Sequence, residues 1–366
     1  MSSDGPSPVA TVQLDAHSAS AWCAARLEQG SPSLSWRSAA ARAYAAVIRS
    51  HLARPLVLPL AARVLGVGSA TLGGAGKTPV AVQLAADLRT RGDPVAFVGH
   101  AYRAHPQFAR MVSPDDDVRD VGDDALVAAN ALHPLGVPVW VAPSRNEAVA
   151  AAARHARTIV VDGLLQARPT PLFRSLLVLD ARAPFGSGSC PPAGDLRGAP
   201  QDLVSLCDEI VLVRDPLGPP PAALPAHLPS RPARSAWIDI VGALDPQGTP
   251  MSVENLRSAR VGLLTLVGRA HRVLASLAHR GIVPACHWTG PDHGSLGLRD
   301  RFSLRSISAR FRLDGWLVTP KCRPHLSPWD LGAPLWTLDV RARLDPSPQA
   351  VLESGPCAPH VFSLSC

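Results

Sequence analysis

The sequence predicts an α/β fold: a parallel sheet with helices on both faces, plus a smaller C-terminal α/β lobe. Three observations predict it. Short apolar runs alternate with helical stretches from residue 64 onward, a glycine-rich turn follows the first of these runs, and a second βα series follows a proline-rich stretch. Strands spaced this way, with helices between them, belong to a sheet buried on both faces.

Taken in order, residues 1–35 are rich in Ser, Pro and Ala and read as a flexible lead. Residues 36–54 read as an amphipathic helix, with Trp36, Ala40, Tyr44, Val47 and Ile48 on one face and Arg42 and Arg49 opposite. Pro55 ends it and a second apolar stretch follows, so 36–63 forms one segment. This segment has two readings. It packs on the domain, or it lies in a membrane interface with Trp and Tyr at headgroup depth and Arg toward lipid phosphate; the domain scheme takes it as membrane-associating. Residues 64–215 carry the expected strands Val64–Val67, Val95–Val98, Val137–Val141, Thr158–Val161, Leu176–Leu179 and Ile210–Val213, with helices at Pro79–Arg89 and Asn146–His155. The seven prolines of 216–232 read as a stiff linker or an extended crossover, and the domain scheme takes 216–240 as a Pro-rich linker. The lobe 241–366 holds strands at Gly262–Val267, Ile282–Cys286, Trp316–Thr319 and Leu335–Leu338, and a helix over 270–280.

Composition narrows the function. The 366 residues are 46% apolar and 18% charged, which excludes wholesale disorder. No uncharged apolar run is long enough for a conventional multi-span membrane protein, and the first residues lack the basic and apolar regions of a signal peptide. Seven scattered cysteines without a CxxC argue against a disulfide framework and fit a reducing compartment. The net charge of +7 suits anionic partners. It is carried by 34 arginines and only two lysines, Lys77 and Lys321. A chain that has replaced almost every lysine keeps one where a compact ammonium is required.

Lys77 lies in Val67-Gly-Ser-Ala-Thr-Leu-Gly-Gly-Ala-Gly-Lys-Thr-Pro79, between an expected strand and an expected helix. That is the context of a phosphate-binding loop, and it makes the larger sheet a P-loop NTPase sheet. Gly73, Gly74, Ala75 and Gly76 bring backbone N–H groups toward phosphate oxygens, Lys77 reaches the terminal phosphates, and the Thr78 hydroxyl holds Mg²⁺. Thr71 stands where the usual first glycine would be. A strand ending in an acid supplies the second metal group, and Thr158-Ile-Val-Val-Asp162 ends in one.

These residues resemble the tetraacyldisaccharide 4′-kinases of lipid A biosynthesis, whose phosphate loop also carries Thr in the first-glycine position. The stretch Phe185–Arg197 is similar to that family's FGNG…PAGPLRE, Asp120–Asp124 to its DVGDE, Ala142–Arg145 to its GPxR, Pro291–His293 to its PDHH and Val318–Lys321 to its TTEKD. The resemblance implies ATP and Mg²⁺ as cofactors. It implies Asp123 as the acid that activates a sugar hydroxyl and His293 as its supporting partner. Arg145 and Arg197 would line the nucleotide and substrate site, and Asp162 would be one member of a DDG pair. It further implies a membrane lipid acceptor, an acylated disaccharide 1-phosphate, and a peripheral or monotopic place on the cytoplasmic face of the inner membrane. No nucleic-acid partner and no obligate protein partner is inferred.

Each residue also has a plainer reading. Asp123 and Asp124 fit a helix N-cap and first-turn acid, His293 a loop histidine, and Arg145 one arginine among many. The chain also departs from the pattern: the first Asp of DDG is Val161, the family's SRGYGR is reduced to Gly99–Arg103, and its PAGPLRE ends here in Gly198. Two functions therefore stand side by side: ATP-dependent phosphorylation of the 4′-position of a tetraacyldisaccharide 1-phosphate, and a catalytically impaired nucleotide-binding homologue with a regulatory or scaffold role. A GTP-using protein ranks last, because no Asn-Lys-x-Asp motif occurs.

Overall fold

The structure is a computed structural model that describes residues 12–15, 35–52, 55–59, 62–101, 104–164, 168–170, 172–216, 218, 220–266, 269–290, 296–326 and 331–345. The chain forms two compact units, one from residues 25–238 and 341–366 and the other from 1–24 and 239–340.

In the larger unit, the strand Arg63–Ser69 lies centrally, paired in parallel with Thr158–Asp162 on one side and Arg174–Asp180 on the other. Beyond Thr158–Asp162 come Val95–Val98 and Val139–Val141, then the short antiparallel edge Arg110–Met111. Beyond Arg174–Asp180 come Glu209–Arg214 and the first half of Ala233–Leu244. The inner strands are apolar and buried throughout, because helices cover both faces. One face carries Leu65, Val67, Val160, Leu176 and Val178 against the helices Lys77–Thr90 and Asp123–Leu132. The other carries Val64, Ile159 and Val161 against the helix Arg145–Ala152, and Leu177 and Leu179 against Ser35–Leu52 and Pro200–Ser205.

The smaller unit is also a parallel sheet. Val261–Thr265 pairs with Cys286–Thr289 and with Gly315–Val318, and the latter pairs with the start of Leu335–Asp345. The expected strand at 282–286 is displaced to Cys286–Thr289, since Gly281 takes positive φ to close the preceding helix.

Three segment assignments change. Val12–Asp15, expected in a flexible lead, is a strand paired in parallel with Cys286–Thr289. The expected linker 216–240 ends as sheet: Ala233 to Trp237 pair with Ile210 to Arg214. That strand starts directly after Pro232, the last proline of the run, where backbone N–H donors resume. The unit boundary accordingly falls between Ile238 and Asp239, inside a strand. At the far end, Ala342 and Leu344 pack in the core of the larger unit rather than in a C-terminal lobe.

The helix Ser35–Leu52 shows Ala41, Tyr44, Ala45 and Ile48 to the larger unit's core, while Val47 is 56% exposed. The inward stripe is therefore centred one position from the expected one, and Val47 is exposed on one flank of it while Arg42 and Arg49 are exposed on the other. Arg49 is anchored to Asp202 at 2.9 Å. Among the described residues no helix is long and apolar enough to cross a membrane.

Candidate active site

The site lies at the carboxyl end of the larger unit's central strand, where connections leave to opposite sides of the sheet and crevices form. Residues 70–76 turn from the strand into the helix Lys77–Thr90. Gly74 and Gly76 hold φ of 72° and 83°, and a Cβ on Gly76 would meet Ile238 Cδ1 at 2.5 Å. The helix starts without an acidic residue in its first turn, so its N-terminal N–H groups and positive dipole end suit an anion.

The loop is braced from within and from the side. Thr71 is 1% exposed, and its hydroxyl donates to the Gly73 carbonyl at 3.1 Å. Thr71 thus shapes the loop; its hydroxyl is directed at the backbone, not outward to a ligand. Arg197 behaves similarly, donating from Nε to the Thr71 carbonyl (2.8 Å) and from a terminal nitrogen to the Leu72 carbonyl (3.0 Å). Thr71 and Leu196 form an antiparallel bridge, and the Arg197 N–H bonds Ala70 O at 2.8 Å. Asp195 folds this bracing segment by accepting from the Ser187 N–H and hydroxyl, both at 2.9 Å. Sequence reasoning passed over Asp195. The helix Ser35–Leu52 meets the same segment through Tyr44, whose pKa is raised by burial and, beside it, Cys190.

At the helix start, Lys77 Nζ is ion-paired with Asp162 Oδ1. The Thr78 hydroxyl lies 2.7 Å from Asp162 Oδ2 and 3.2 Å from Asp124 Oδ1. One hydroxyl, two carboxylates and an ammonium therefore converge. The sequence placed Asp124 as a helix-start acid and left open whether it replaces the carboxylate absent at Val161. Its signal was available in the DVGDE-like stretch, where it follows the expected base.

Asp162 is fully buried and shares the strand face of Val160, toward the helix Lys77–Thr90. Val161 points the opposite way, into an apolar cluster with Val64, Val98 and Ala148. Alternation along a strand makes this inevitable. The substitution at 161 therefore removes no carboxylate from the Lys77–Thr78 cluster, and the sequence-level argument for an impaired protein loses its footing.

Asp123 starts the helix Asp123–Leu132 after Gly122, which has φ 85°. It is 2% exposed, and its Oδ1 accepts the Asp124 N–H at 2.9 Å, a local bond at the helix start. Arg145 opens the helix Arg145–Ala152 behind the cap Ser144, whose hydroxyl accepts the Glu147 N–H. Its guanidinium reaches Gly163, where a Cβ would sit 2.9 Å from it and 3.1 Å from His100 Cδ2. A side chain after Asp162 would displace both. Burial lowers the Arg145 pKa, and Asp162 opposes that shift. His100, in the stretch similar to SRGYGR, is a further residue not singled out from sequence. Burial, with Arg145 and Lys77 nearby, pushes its pKa down to about 3, so it presents a neutral ring. His293 lies outside the described residues.

A doubly wound parallel sheet with a glycine-rich loop, a lysine, a hydroxyl and carboxylates at one strand end defines a P-loop phosphotransferase site. The family model for tetraacyldisaccharide-1-P 4′-kinase matches residues 34–354, and the chain belongs to that family. It is 31% identical over 296 residues to a tetraacyldisaccharide 4′-kinase of Acidithiobacillus ferrooxidans, covering 78% of this chain and 82% of that one. A tetraacyldisaccharide 4′-kinase of Rhodospirillum rubrum is 34% identical over 294 residues, covering 77% and 84%. The fold matches a crystal structure of LpxK from Aquifex aeolicus with a TM-score of 0.63 at 18% identity, over 86% of this chain and 96% of that one.

Proposed function

We infer that the protein is an ATP-dependent kinase that phosphorylates the 4′-hydroxyl of a tetraacyldisaccharide 1-phosphate, a lipid A precursor. The convergence of Lys77, Thr78, Asp124 and Asp162 at the end of a phosphate-binding loop carries this reading.

Phosphoryl transfer needs charge neutralisation, in-line positioning and a proton acceptor. The N–H groups of residues 73–78 and the Lys77 ammonium neutralise the phosphates of ATP. A magnesium ion fits the donor set, because the Thr78 hydroxyl and the Asp124 and Asp162 carboxylates are hard oxygen ligands within reach of one another. When bound, magnesium spreads the negative charge that develops on the transferring group. Asp162 holds Lys77 and Thr78 in place. Arg145 adds positive charge beside Gly163, and Arg197 keeps the loop in shape through its two carbonyl bonds. Asp123, supported by His293, takes the proton of the sugar hydroxyl.

An acylated acceptor does not leave the bilayer readily, so the reaction belongs at a membrane surface. The cytoplasmic face of the inner membrane is the natural place, with the protein peripheral or monotopic. The test is a phosphotransfer assay with Mg-ATP and a tetraacyl disaccharide 1-phosphate in detergent, beside Lys77→Ala and Asp123→Ala. The expected result is a 4′-phosphorylated lipid whose formation collapses in both variants. Wild-type protein that binds ATP but yields no phosphorylated lipid would overturn the reading.

A further inference from the structure

The helix Leu298–Phe311 of the smaller unit has an unusual outward face. Its inward face is well anchored. Leu304 and Ser308 are buried, Ile307 and Phe311 pack on the core around Trp316 and Leu331, and the Ser308 hydroxyl bridges the Leu331 carbonyl (2.6 Å) and Trp316 Nε1 (2.8 Å). A 3.6-residue period then forces Leu298, Phe302, Arg305 and Ala309 onto the opposite side. Leu298 and Phe302 are each 69% exposed. They stand four residues apart, so their side chains meet on one surface.

The charge on this helix is one-sided. It contains four arginines, at 299, 301, 305 and 310, and one acid, Asp300. Asp300 is occupied at the helix start, where it accepts the Gly297 N–H at 2.9 Å. Arg299, Arg305 and Arg310 are exposed and flank the Leu298–Phe302 pair. Exposed apolar side chains framed by arginines fit the boundary of an anionic bilayer. Apolar groups enter the acyl region there, and guanidinium groups meet lipid phosphate. A soluble partner would have to match both the apolar pair and the positive frame, whereas an anionic lipid surface supplies both at once.

We propose that the outward face of Leu298–Phe311 docks on an anionic lipid surface through Leu298 and Phe302 and their arginine frame. This goes beyond the catalytic assignment and does not depend on the acceptor, because the test uses vesicles that contain none. The full-length protein is sedimented with phosphatidylcholine vesicles and with vesicles mixed with phosphatidylglycerol. Three variants accompany it: Leu298→Ser/Phe302→Ser, Arg299→Gln/Arg310→Gln, and Phe108→Ser, which removes an equally exposed aromatic from the larger unit. Near-ultraviolet circular dichroism and a thermal melt verify that each variant is folded.

The expected result is binding that requires phosphatidylglycerol. It weakens about tenfold or more in each double variant and is unchanged in Phe108→Ser. Wild-type protein that ignores phosphatidylglycerol, or a folded Leu298→Ser/Phe302→Ser variant that binds as wild type does, overturns the proposal. So does a dimer in size-exclusion chromatography that this variant dissociates without altering vesicle binding, since the face would then be covered by a second copy of the chain.

Discussion

The two units end their central strands in the same topological place and furnish it with different side chains. In the larger unit the strand Arg63–Ser69 opens into a glycine-rich loop, and ionised groups gather beside it: Lys77, Asp124, Asp162 and Arg145. In the smaller unit the strand Val261–Thr265 ends among hydroxyl, imidazole and thiol groups that bond one another. Thr265 Oγ1 lies 2.8 Å from His287 Nε2, Leu266 N–H donates to Cys322 Sγ at 3.1 Å, and the Thr319 hydroxyl reaches the same sulfur at 3.0 Å. Thr265 and Cys322 are fully buried. A parallel sheet offers a crevice at each such end, but only ionised groups held against a phosphate-binding loop make it a phosphotransfer site. The difference lies in side chains, not in topology.

The largest expected effect tests the charged end directly. Lys77→Ala removes the ammonium ion-paired with the buried Asp162 carboxylate. Turnover should fall by about 10³-fold or more, because the lost group neutralises charge that grows in the transition state. Phosphotransfer kinetics measure it; near-wild-type turnover would mean that the ionised cluster is not where the chemistry occurs. Next in size is Val161→Asp, which restores the residue of the related motif. Here it would place a carboxylate among Val64, Val98 and Ala148. The expected outcome is a stability loss of about 3 kcal/mol or more with no gain in activity, since an unpaired buried charge is costly. Urea denaturation reads the loss. A stable and faster variant would show that position 161 reaches the site after all.

A third effect follows from His100. Its pKa of about 3 lies below the ordinary histidine value because burial and the neighbouring cations disfavour the charged ring. The unfolded chain therefore binds a proton below about pH 6.5 that the folded chain refuses. Stability from this group is complete above that pH and declines as the pH falls toward 3. Between pH 6.5 and pH 5 the loss is about 2 kcal/mol. Denaturation midpoints at pH 7.5 and pH 5 should differ more for wild type than for His100→Gln. Equal differences would remove His100 from the charged cluster.

Much of this was legible beforehand, and the exceptions have physical causes. The phosphate loop, the strand ending in Asp162 and the central βα rhythm were readable because glycine spacing and unbroken apolar runs are local signals. The role of Asp124 was not, because its meaning depends on Thr78, 46 positions earlier in the chain. The helix Leu298–Phe311 escaped notice because arginines mask its apolar period and two of its large apolar residues face outward. The helix Ser35–Leu52 was readable as amphipathic, but periodicity reveals a stripe without saying what covers it; the stripe of Ala41, Tyr44, Ala45 and Ile48 turns onto the core. The strand at 233–244 hid behind seven prolines that end where it begins.

The smallest expected effect belongs to the strand end of the smaller unit. Thr265→Val keeps the shape of the side chain and deletes the hydroxyl that faces His287 Nε2. The ring keeps its 3.3 Å approach to the Thr289 hydroxyl, so the loss is that of one net hydrogen bond, about 1 kcal/mol. Because the deleted group touches its own unit's polar network, the change should appear in the urea midpoint and leave kcat unaltered. Arg145→Gln is the matched change at the charged end and should do the reverse, cutting kcat by far more than it shifts the midpoint. If Thr265→Val instead lowered kcat at unchanged stability, the hydroxyl would be acting on a reacting group. The contrast between an end that performs the transfer and an end whose polar groups hold its own sheet together would then fail.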